Sequence, residues 1–367
     1  MTDLEQGGAV DRTAALLEVR DVSVDFKLSR GRVLHAVDRV SFALHKGETL
    51  GIIGESGSGK STLARAVMGI EPLSSGSVAL DGSQIGKMTR RARRAIAPRM
   101  QMIFQDPSEA LDPHLTCRAA VAEPLVVQGR LGRNEILRKV GEALERVGLS
   151  EQHGSRRPRE LSGGQRQRVN IARALTLDPD VLVCDEAVSA LDVSVQAEVL
   201  NLLLDLQDER GLAYLFISHD IGVVARVCHK VGVMYLGGLV ETGSADDLVK
   251  YPQHPYTSAL LSAEPQALPS RLRTKTRIVL SGEIPSPLDP PRGCRFVTRC
   301  VYAKEVCSTP PPLADAGAGR TAACHFVGEL ELAGEGTNST SASADGSVHA
   351  QREEVTAKEK ENDQAFQ

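Results

Sequence analysis

Nine consecutive residues, Gly54 to Thr62, form a loop of the type that binds phosphate. They read GESGSGKST and match the pattern G-x-x-x-x-G-K-[ST]. Glycines let backbone N–H groups turn towards phosphate oxygens, the lysine reaches the outer phosphates, and the first hydroxyl is a ligand for Mg²⁺. The sequence therefore predicts a nucleoside triphosphate site, with Lys60 also catalytic and Ser61 also a metal ligand. Its phosphate-binding residues are Gly54, Ser56, Gly57, Ser58, Gly59, Lys60, Ser61 and Thr62.

Polar residues follow three apolar runs that have the length of buried strands. The runs and their following residues are Val181–Cys184 with Asp185 and Glu186, Ala213–Ile217 with Ser218 and His219, and Met100–Phe104 with Gln105. Asp185 is placed to hold Mg²⁺, and Glu186 to orient or deprotonate the attacking water. The Gln105 amide can reach the metal ion or the water, and it can swing away without leaving a charge buried. A lone histidine is more often structural, but His219 in this setting is placed to touch the γ-phosphate.

A second phosphate-binding sequence, Leu161-Ser162-Gly163-Gly164-Gln165, lies about 100 residues beyond the loop. One nucleotide needs only one phosphate loop. A second phosphate-binding motif in the same chain therefore indicates which kind of protein uses the nucleotide. The acidic residues at Asp185 and Glu186 follow this motif by about 20 residues, which makes a chance arrangement of the two unconvincing.

Composition limits the class of protein. The chain has 367 residues, 41% hydrophobic and 25% charged, which fits a soluble chain with one large domain and a small one. Its net charge of −4 comes from the last 40 residues, where nine acidic and three basic side chains leave the rest near neutral. No nucleic-acid partner is therefore expected. Without a signal peptide or an apolar run of about 18–20 residues, we expect a cytosolic chain that reaches a membrane only through partners.

The elements that must position these residues are those of an α/β fold. Residues 17–26 and 37–44 alternate like strands and predict an antiparallel β layer ahead of the loop. Short continuous apolar runs are typical of central parallel strands that are buried on both faces. Their alternation with helical stretches, including a mostly helical region over 115–177, predicts a mostly parallel core sheet.

Over about residues 16–265 these motifs closely resemble the ATPase subunit of an ABC transporter. The matching motifs are the Walker A loop at Gly54–Thr62, the Q-loop at Gln105, the signature at Leu161–Gln165, Walker B at Val181–Glu186, the D-loop at Ser189–Asp192 and the switch histidine at His219. The resemblance implies a P-loop fold with a mixed sheet core, an antiparallel β subdomain and a helical subdomain over about 108–178. It also implies that Phe26 stacks on adenine, although a strand phenylalanine is usually core packing.

In such ATPases two nucleotide domains face each other head to tail, which explains the second motif. The resemblance implies that ATP on one Walker A loop is covered by the partner domain's signature. The residues contributed across that interface would be Ser162, Gly163, Gly164, Gln165 and Asp192. A site built from two halves is complete only when it closes, so the chain alone is expected to hydrolyse ATP inefficiently.

A narrower resemblance points to the dipeptide/oligopeptide importer branch. It rests on Gln105-Asp106-Pro107, Leu111-Asp112-Pro113, Glu186–Gln196 and His254-Pro255-Tyr256-Thr257. The resemblance implies a second ATPase subunit, identical or paralogous, two membrane-spanning permeases and an extracytoplasmic solute-binding protein, with the chain at the cytoplasmic face of the membrane. An importer for another solute such as nickel, an exporter, a soluble ABC ATPase and a non-catalytic nucleotide-binding module are the alternatives.

Four of the seven cysteines fall close together near the C-terminus, spaced C-x₅-C-x₆-C-x₁₆-C. They are Cys294, Cys300, Cys307 and Cys324. Four thiolates can hold an iron–sulfur cluster or a zinc ion, or they can stay unmetallated. Members of the resembled branch that carry a [4Fe–4S] cluster here put iron–sulfur ahead of zinc. We therefore expect a small Cys-rich C-terminal extension over 266–328, followed by a disordered tail over 329–367.

Overall fold

The structure is a computed structural model that describes residues 14–85, 94–189, 191–263 and 278–334. The predicted domain boundary near residue 265 lies outside the described residues. The predicted disordered tail over 329–367 also lies outside them from residue 335 onwards.

Strands and helices alternate along most of the chain. The strands are β1 (Leu17–Lys27), β2 (Val33–Leu44), β3 (Thr49–Ile53), β4 (Ser75–Leu80), β5 (Ser83–Gln84), β6 (Met100–Ile103), β7 (Val181–Asp185), β8 (Ala213–Ile217), β9 (Lys230–Tyr235), β10 (Gly238–Ser244), β11 (Ala314–Gly317) and β12 (Arg320–Ala322). The helices are α1 (Lys60–Val67), α2 (Pro107–Ala110), α3 (Cys117–Gln128), α4 (Arg133–Arg146), α5 (Glu151–Ser155), α6 (Gly163–Leu175), α7 (Val193–Arg210), α8 (Ile221–Val227), α9 (Ala245–Lys250) and α10 (Pro255–Ser262).

Within the described residues, these strands form two sheets. The larger has eight strands in the order β11-β12-β10-β9-β3-β8-β7-β6, and the smaller has the order β2-β1-β4-β5. Strands β9, β3, β8, β7 and β6 are parallel neighbours, whereas β10, β12 and β11 join antiparallel. The predicted α/β class, with a mixed core sheet and a separate antiparallel sheet, is confirmed.

The central strands are covered on both faces, as their continuous apolar sequences predict. Every residue of β3, β7 and β8 is buried. Side chains alternate between the faces, so Val181 and Val183 pack towards the small sheet and α1, while Leu182 and Cys184 pack towards the helices on the other side. Cys184 is fully buried, and burial raises the pKa of its thiol to about 12, so it behaves as a small apolar side chain.

Helices α2 to α6 occupy the segment between β6 and β7. Helices α3, α4 and α6 pack against one another. Their contact is apolar, and its buried residues include Val121, Leu125, Val140, Leu144 and Val169. This segment coincides with the region that the sequence predicts to be helical, and it carries the signature at the start of α6.

The C-terminal segment, defined here as residues 278–334, is joined to the main sheet. Strand β12 pairs with β10 through Glu241↔Ala322 and Thr242↔Thr321, and the Ala323 N–H donates to the Val240 carbonyl at 2.8 Å. Arg295 forms an ion pair with Asp38 of β2. The C-terminal segment is therefore tied to the core fold, and the expected Cys-rich extension is not confirmed. Among the described helices, none combines the length and apolar character required to cross a bilayer.

One buried histidine makes the stability of this region depend on pH. His254 is 1% exposed and its Nδ1 accepts the Tyr256 N–H at 3.1 Å, so burial holds its pKa down to about 3. Between that value and the ordinary pKa of about 6.5, the unfolded chain binds a proton that the folded protein does not. The contribution of His254 to stability is thus fully present well above pH 6.5 and decreases as the pH falls below that value.

We expect His254→Asn, which keeps an acceptor at the start of α10, to remove this dependence. Between pH 6.5 and 5, the free energy of unfolding of the wild type should fall by about 2 kcal/mol more than that of the variant. Urea titrations at both pH values measure the difference. The exposed His114, changed to Asn, is the control and should follow the wild type. Parallel profiles for His254→Asn and the wild type would contradict the prediction.

Candidate active site

The phosphate-binding loop leaves the centre of the main sheet. Strand β3 lies between β8 and β9, and Gly54 to Gly59 connect its end to the first residue of α1. Gly59 has φ +103°, and a Cβ there would lie 2.1 Å from the Ala36 carbonyl oxygen, so only glycine fits. The Gly237 N–H donates to the Ser58 carbonyl at 2.9 Å and holds the loop from β10's side.

Lys60 is folded against its own loop. Its Nζ donates to the carbonyl oxygens of Gly54 at 2.8 Å and Glu55 at 2.9 Å, and the residue is 5% exposed. Burial lowers the pKa of Lys60, and the negative charges of Glu186, Asp185 and Glu55 oppose that effect. The ammonium group is therefore placed beneath the loop with acidic groups around it.

Asp185 and Ser61 meet at the carboxyl end of β7. The Ser61 hydroxyl donates to Asp185 Oδ1 at 2.8 Å. Asp185 is 4% exposed; burial raises the pKa of its carboxyl, while the Ser61 hydrogen bond and the Arg65 charge lower it. A hydroxyl and a carboxylate side by side are the oxygen donors that Mg²⁺ prefers.

Glu186 connects two other strand-end residues. Its Oε2 accepts from Gln105 Nε2 at 2.8 Å and lies 3.2 Å from His219 Nδ1. Gln105 follows β6 and His219 follows β8, so parallel strands bring residues that are far apart in sequence to one edge. The structure thus brings three of the predicted residues together, and Asp185 lies one position before Glu186 in the chain.

An open cleft runs beside this edge and is lined by Phe26 and by six residues of the phosphate-binding loop. Its lining also includes Gln105 and Glu186. Sequence reasoning missed several lining residues: Leu34, His35, Ala36, Gly237 and Pro287. Nothing in the local sequence marks them, because they reach the cleft only through the fold. Phe26 also packs partly against the core. Its position is therefore compatible with both roles considered above, adenine stacking and core packing.

The signature residues lie at the beginning of α6. The Ser162 hydroxyl accepts the Gln165 N–H at 3.3 Å, and the Gln165 side chain accepts the Ser162 N–H at 3.1 Å, which forms a reciprocal helix cap. A Cβ on Gly164 would lie 2.3 Å from the Val195 side chain, so glycine is required where α6 meets α7. Ser162 itself is exposed.

Two surfaces therefore carry the predicted nucleotide contacts. Asp192 precedes α7, is exposed, and lies next to the signature through the contact of Gly164 with α7. Neither Asp192 nor any of the four residues from Ser162 to Gln165 belongs to the lining of the described cleft. The chain thus presents a cleft on one side of its loop and an unoccluded helix N-terminus elsewhere.

The four C-terminal cysteines line one small pocket. Cys294, Cys300, Cys307 and Cys324 all line it, together with His254 and Phe296 among others. Its free volume of about 10 Å³ is close to that of one water molecule. No group of three or more His, Cys, Asp or Glu in the described residues has an arrangement that could hold a metal ion. Burial raises the pKa of the Cys294 thiol to about 11. The present packing does not fit a zinc ion or a four-iron cluster, so the iron–sulfur prediction gains no support.

Solved structures with the same fold are ABC cassettes. One is the dimeric post-hydrolysis state of the ATP-binding cassette MJ0796 bound to ADP and Pi, with a TM-score of 0.58 and 27% identity over 62% of this chain and 98% of that one. Another is cbiO1 from Clostridium perfringens, part of the ABC transporter complex cbiONQ, with a TM-score of 0.57 and 31% identity over 64% and 90%.

Family models and curated relatives agree with this likeness. The model described as ABC transporter matches residues 37–189, and the model described as oligopeptide/dipeptide transporter, C-terminal region matches 240–307. A putative peptide import ATP-binding protein of Brucella abortus is 49% identical over 84% of this chain and 92% of its own length. The oligopeptide transport ATP-binding protein OppF of Escherichia coli is 44% identical over 86% and 97%. The chain therefore belongs to the ABC transporter ATP-binding family, in the group with the oligopeptide/dipeptide transporter C-terminal region, and is an ATPase.

Proposed function

We propose that this chain is the ATP-hydrolysing motor subunit of an importer of dipeptides or oligopeptides. The observation that carries the ATPase part is the meeting of Gln105, Glu186 and His219 beside a phosphate loop. The peptide part is supported by the match of residues 240–307 and by relatives that are named for oligopeptide transport. An intact Glu186 and His219 disfavour a non-catalytic nucleotide-binding module.

Each residue of the cleft has a proposed role. Lys60 would exchange its loop carbonyl partners for the outer phosphates of ATP, and Phe26 would stack on the adenine. Glu186 would take the proton of the attacking water as the bond from that water to the γ-phosphorus forms and the bond to the leaving oxygen breaks. His219 would contact the γ-phosphate. Gln105 would change its contacts when nucleotide enters the cleft, because its amide is hydrogen-bonded to Glu186 in the present conformation.

Magnesium fits the residues at the end of β7. Ser61, Asp185 and Gln105 offer hydroxyl, carboxylate and amide oxygens, and a site completed by substrate phosphates and water needs only one carboxylate. Bound Mg²⁺ would neutralise charge on the phosphates. The 2.8 Å bond from Ser61 to Asp185 holds the two ligands next to each other.

We further propose that ATP binds between two such cassettes. The support is the position of the signature and of Asp192 outside the cleft, on an exposed surface that a second cassette can bring to the phosphates. The Ser162 hydroxyl and the N-terminus of α6 would then stabilise the γ-phosphate across the interface. Closure would order the site and exclude water, and loss of the γ-phosphate contacts would let it open.

The remaining partners follow from the peptide assignment. They would be two membrane-spanning permeases, an extracytoplasmic solute-binding protein acting through them, and a second ATPase subunit. Because a permease would supply the membrane contact, the chain would lie peripherally at the cytoplasmic face. Purification of the membrane fraction with this chain as bait, followed by identification of the bound proteins, tests the assembly.

The [4Fe–4S] cluster stays a prediction. Its support is the grouping of four cysteines around one pocket, and the small free volume of that pocket opposes it. Iron and acid-labile sulfide analysis of protein purified without oxygen distinguishes a cluster from four thiols.

Removing the proposed base should stop hydrolysis without stopping binding. We expect Glu186→Gln to lower ATP turnover by about 10²–10⁴-fold, because the amide cannot accept the proton of the attacking water. The variant should accumulate as an ATP-bound dimer, which light scattering after size-exclusion chromatography detects.

The control for this variant is Glu198→Gln, which makes the same chemical change at a side chain that is 65% exposed and paired with Arg168. It should turn over ATP at the rate of the wild type. Unchanged turnover in Glu186→Gln would show that the assignment of the base is wrong.

A signature substitution should separate binding from turnover. We expect Ser162→Ala to lower ATP hydrolysis at least about tenfold through the lost γ-phosphate contact. Nucleotide affinity of the dilute chain should not change, because Ser162 lies outside its own cleft. Calorimetric binding and steady-state turnover measure the two effects.

Thr116→Ala is the matched control, since the Thr116 hydroxyl caps α3 as Ser162 caps α6. Each substitution removes a helix cap that is worth about 1 kcal/mol, but only Ser162→Ala should reduce turnover. Equal turnover in the two variants would contradict the proposal that ATP binds between two cassettes.

A further inference from the structure

The second residue of the phosphate-binding loop is held from outside the loop. The Glu55 N–H donates to the Tyr256 hydroxyl at 2.8 Å. Arg299 Nη1 donates to Glu55 Oε2 at 2.8 Å, and Arg299 Nη2 donates to Oε1 at 3.2 Å. Both the main chain and the side chain of Glu55 are therefore fixed by residues that lie some 200 or more positions later in the sequence.

Arg299 belongs to the C-terminal segment and is buried. Its side chain is 8% exposed, and that of Glu55 is 27% exposed. The paired hydrogen bonds hold the guanidinium and carboxylate planes together, and such charge-assisted pairs are stronger than single neutral bonds. Because the arginine is out of solvent, loss of Glu55's charge would leave a buried cation without its partner.

A cluster of aromatic rings fixes the position of Arg299 relative to the loop. Phe296, three residues before it, packs edge-on against Tyr235 at 5.4 Å and lies 5.5 Å from the Tyr256 ring. Tyr235 and Tyr256 are 4.6 Å apart, and the guanidinium lies 5.9 Å from the Tyr235 ring. Tyr235 ends β9 and Tyr256 lies in α10, so this cluster rests on core elements.

Glu55 also connects this contact to the lysine of the loop. The Glu55 carbonyl oxygen accepts from Lys60 Nζ at 2.9 Å, so one residue bonds Arg299 through its side chain and Lys60 through its main chain. The C-terminal segment reaches the cleft a second time at Pro287, which lines it and accepts the His35 N–H at 3.4 Å. Two independent contacts thus connect the segment to the nucleotide cleft.

We propose that Arg299 is a positioning residue for nucleotide binding: through Glu55, the C-terminal segment holds the phosphate-binding loop in the shape that receives ATP. The inference rests on the proposed function, because that function supplies the nucleotide. It goes further by making a segment outside the ATPase motifs part of the binding site. Without the contact to Arg299, the loop would spend part of its time in shapes that do not bind ATP. The apparent affinity for ATP would fall in proportion to the lost population of the binding-competent shape.

A double-mutant cycle on the full-length chain tests the proposal. The dissociation constant of ATP is measured with Mg²⁺ by calorimetry for the wild type, Arg299→Ala, Glu55→Gln and the double variant. We expect each single substitution to weaken binding about tenfold and the double variant to be no weaker than either, because both remove one interaction. Hydrogen exchange at the amides of residues 55–59 should accelerate in the same variants.

Arg295→Ala is the matched control. Arg295 lies in the same segment and holds it to the core through Asp38 and the Leu236 carbonyl, without a contact to Glu55. Its effect on affinity should be small and should add independently to that of Glu55→Gln. If Arg295→Ala weakened binding as much as Arg299→Ala, or if the Arg299 and Glu55 effects added, Arg299 would only dock the segment and the proposal would be overturned.

Two further outcomes separate this inference from the function on which it rests. A wild-type chain that bound no ATP would overturn the proposed function and the inference together, whereas normal wild-type binding with unchanged variants would overturn the inference alone.

Arg299→Lys covers the case in which Arg299→Ala does not fold. It keeps the charge but loses the two-pronged geometry, so we expect an intermediate affinity at an unchanged melting temperature. Wild-type affinity in this variant would count against positioning.

Discussion

The parallel pairing of β3 with β8 on one side and β9 on the other is the constraint on which the site depends. Parallel strands end at the same edge, so residues that follow β3, β6, β7 and β8 are brought within hydrogen-bonding distance of each other. The Ser61–Asp185 and Gln105–Glu186 bonds exist for this reason. Apolar side chains cover both faces of these strands and keep that edge in place.

Much of this arrangement could be predicted from local sequence, because the signals are local. The loop motif, the acidic pair after β7 and the continuous apolar runs each identify an element and the residue at its end. Two boundaries moved slightly: β1 runs to Lys27 and β2 begins at Val33, so both strands are longer than their alternating cores suggest. Backbone pairing continues past the point where the side-chain pattern stops.

The contacts that escaped prediction are those made by residues without a chemical signature of their own. Pro287 and Gly237 line the cleft, and Arg299 reaches Glu55 across 244 positions of sequence. No periodicity or motif encodes such a distance, and an arginine near four cysteines attracts attention to the cysteines instead. The cysteines show the opposite case: their spacing suggests a ligand set, yet the pocket that they line has room for about one water molecule at most.

The pairing of β12 with β10 protects an edge of the main sheet. Without it, the main-chain groups of β10 that face β12 would be open to another chain's strand, which is a common route to aggregation. The strand that then forms the boundary, β11, has only four residues and offers little to pair with. A truncation that ends the chain before residue 314 would remove β11 and β12. It would therefore remove this protection against self-association as well as a part of the fold.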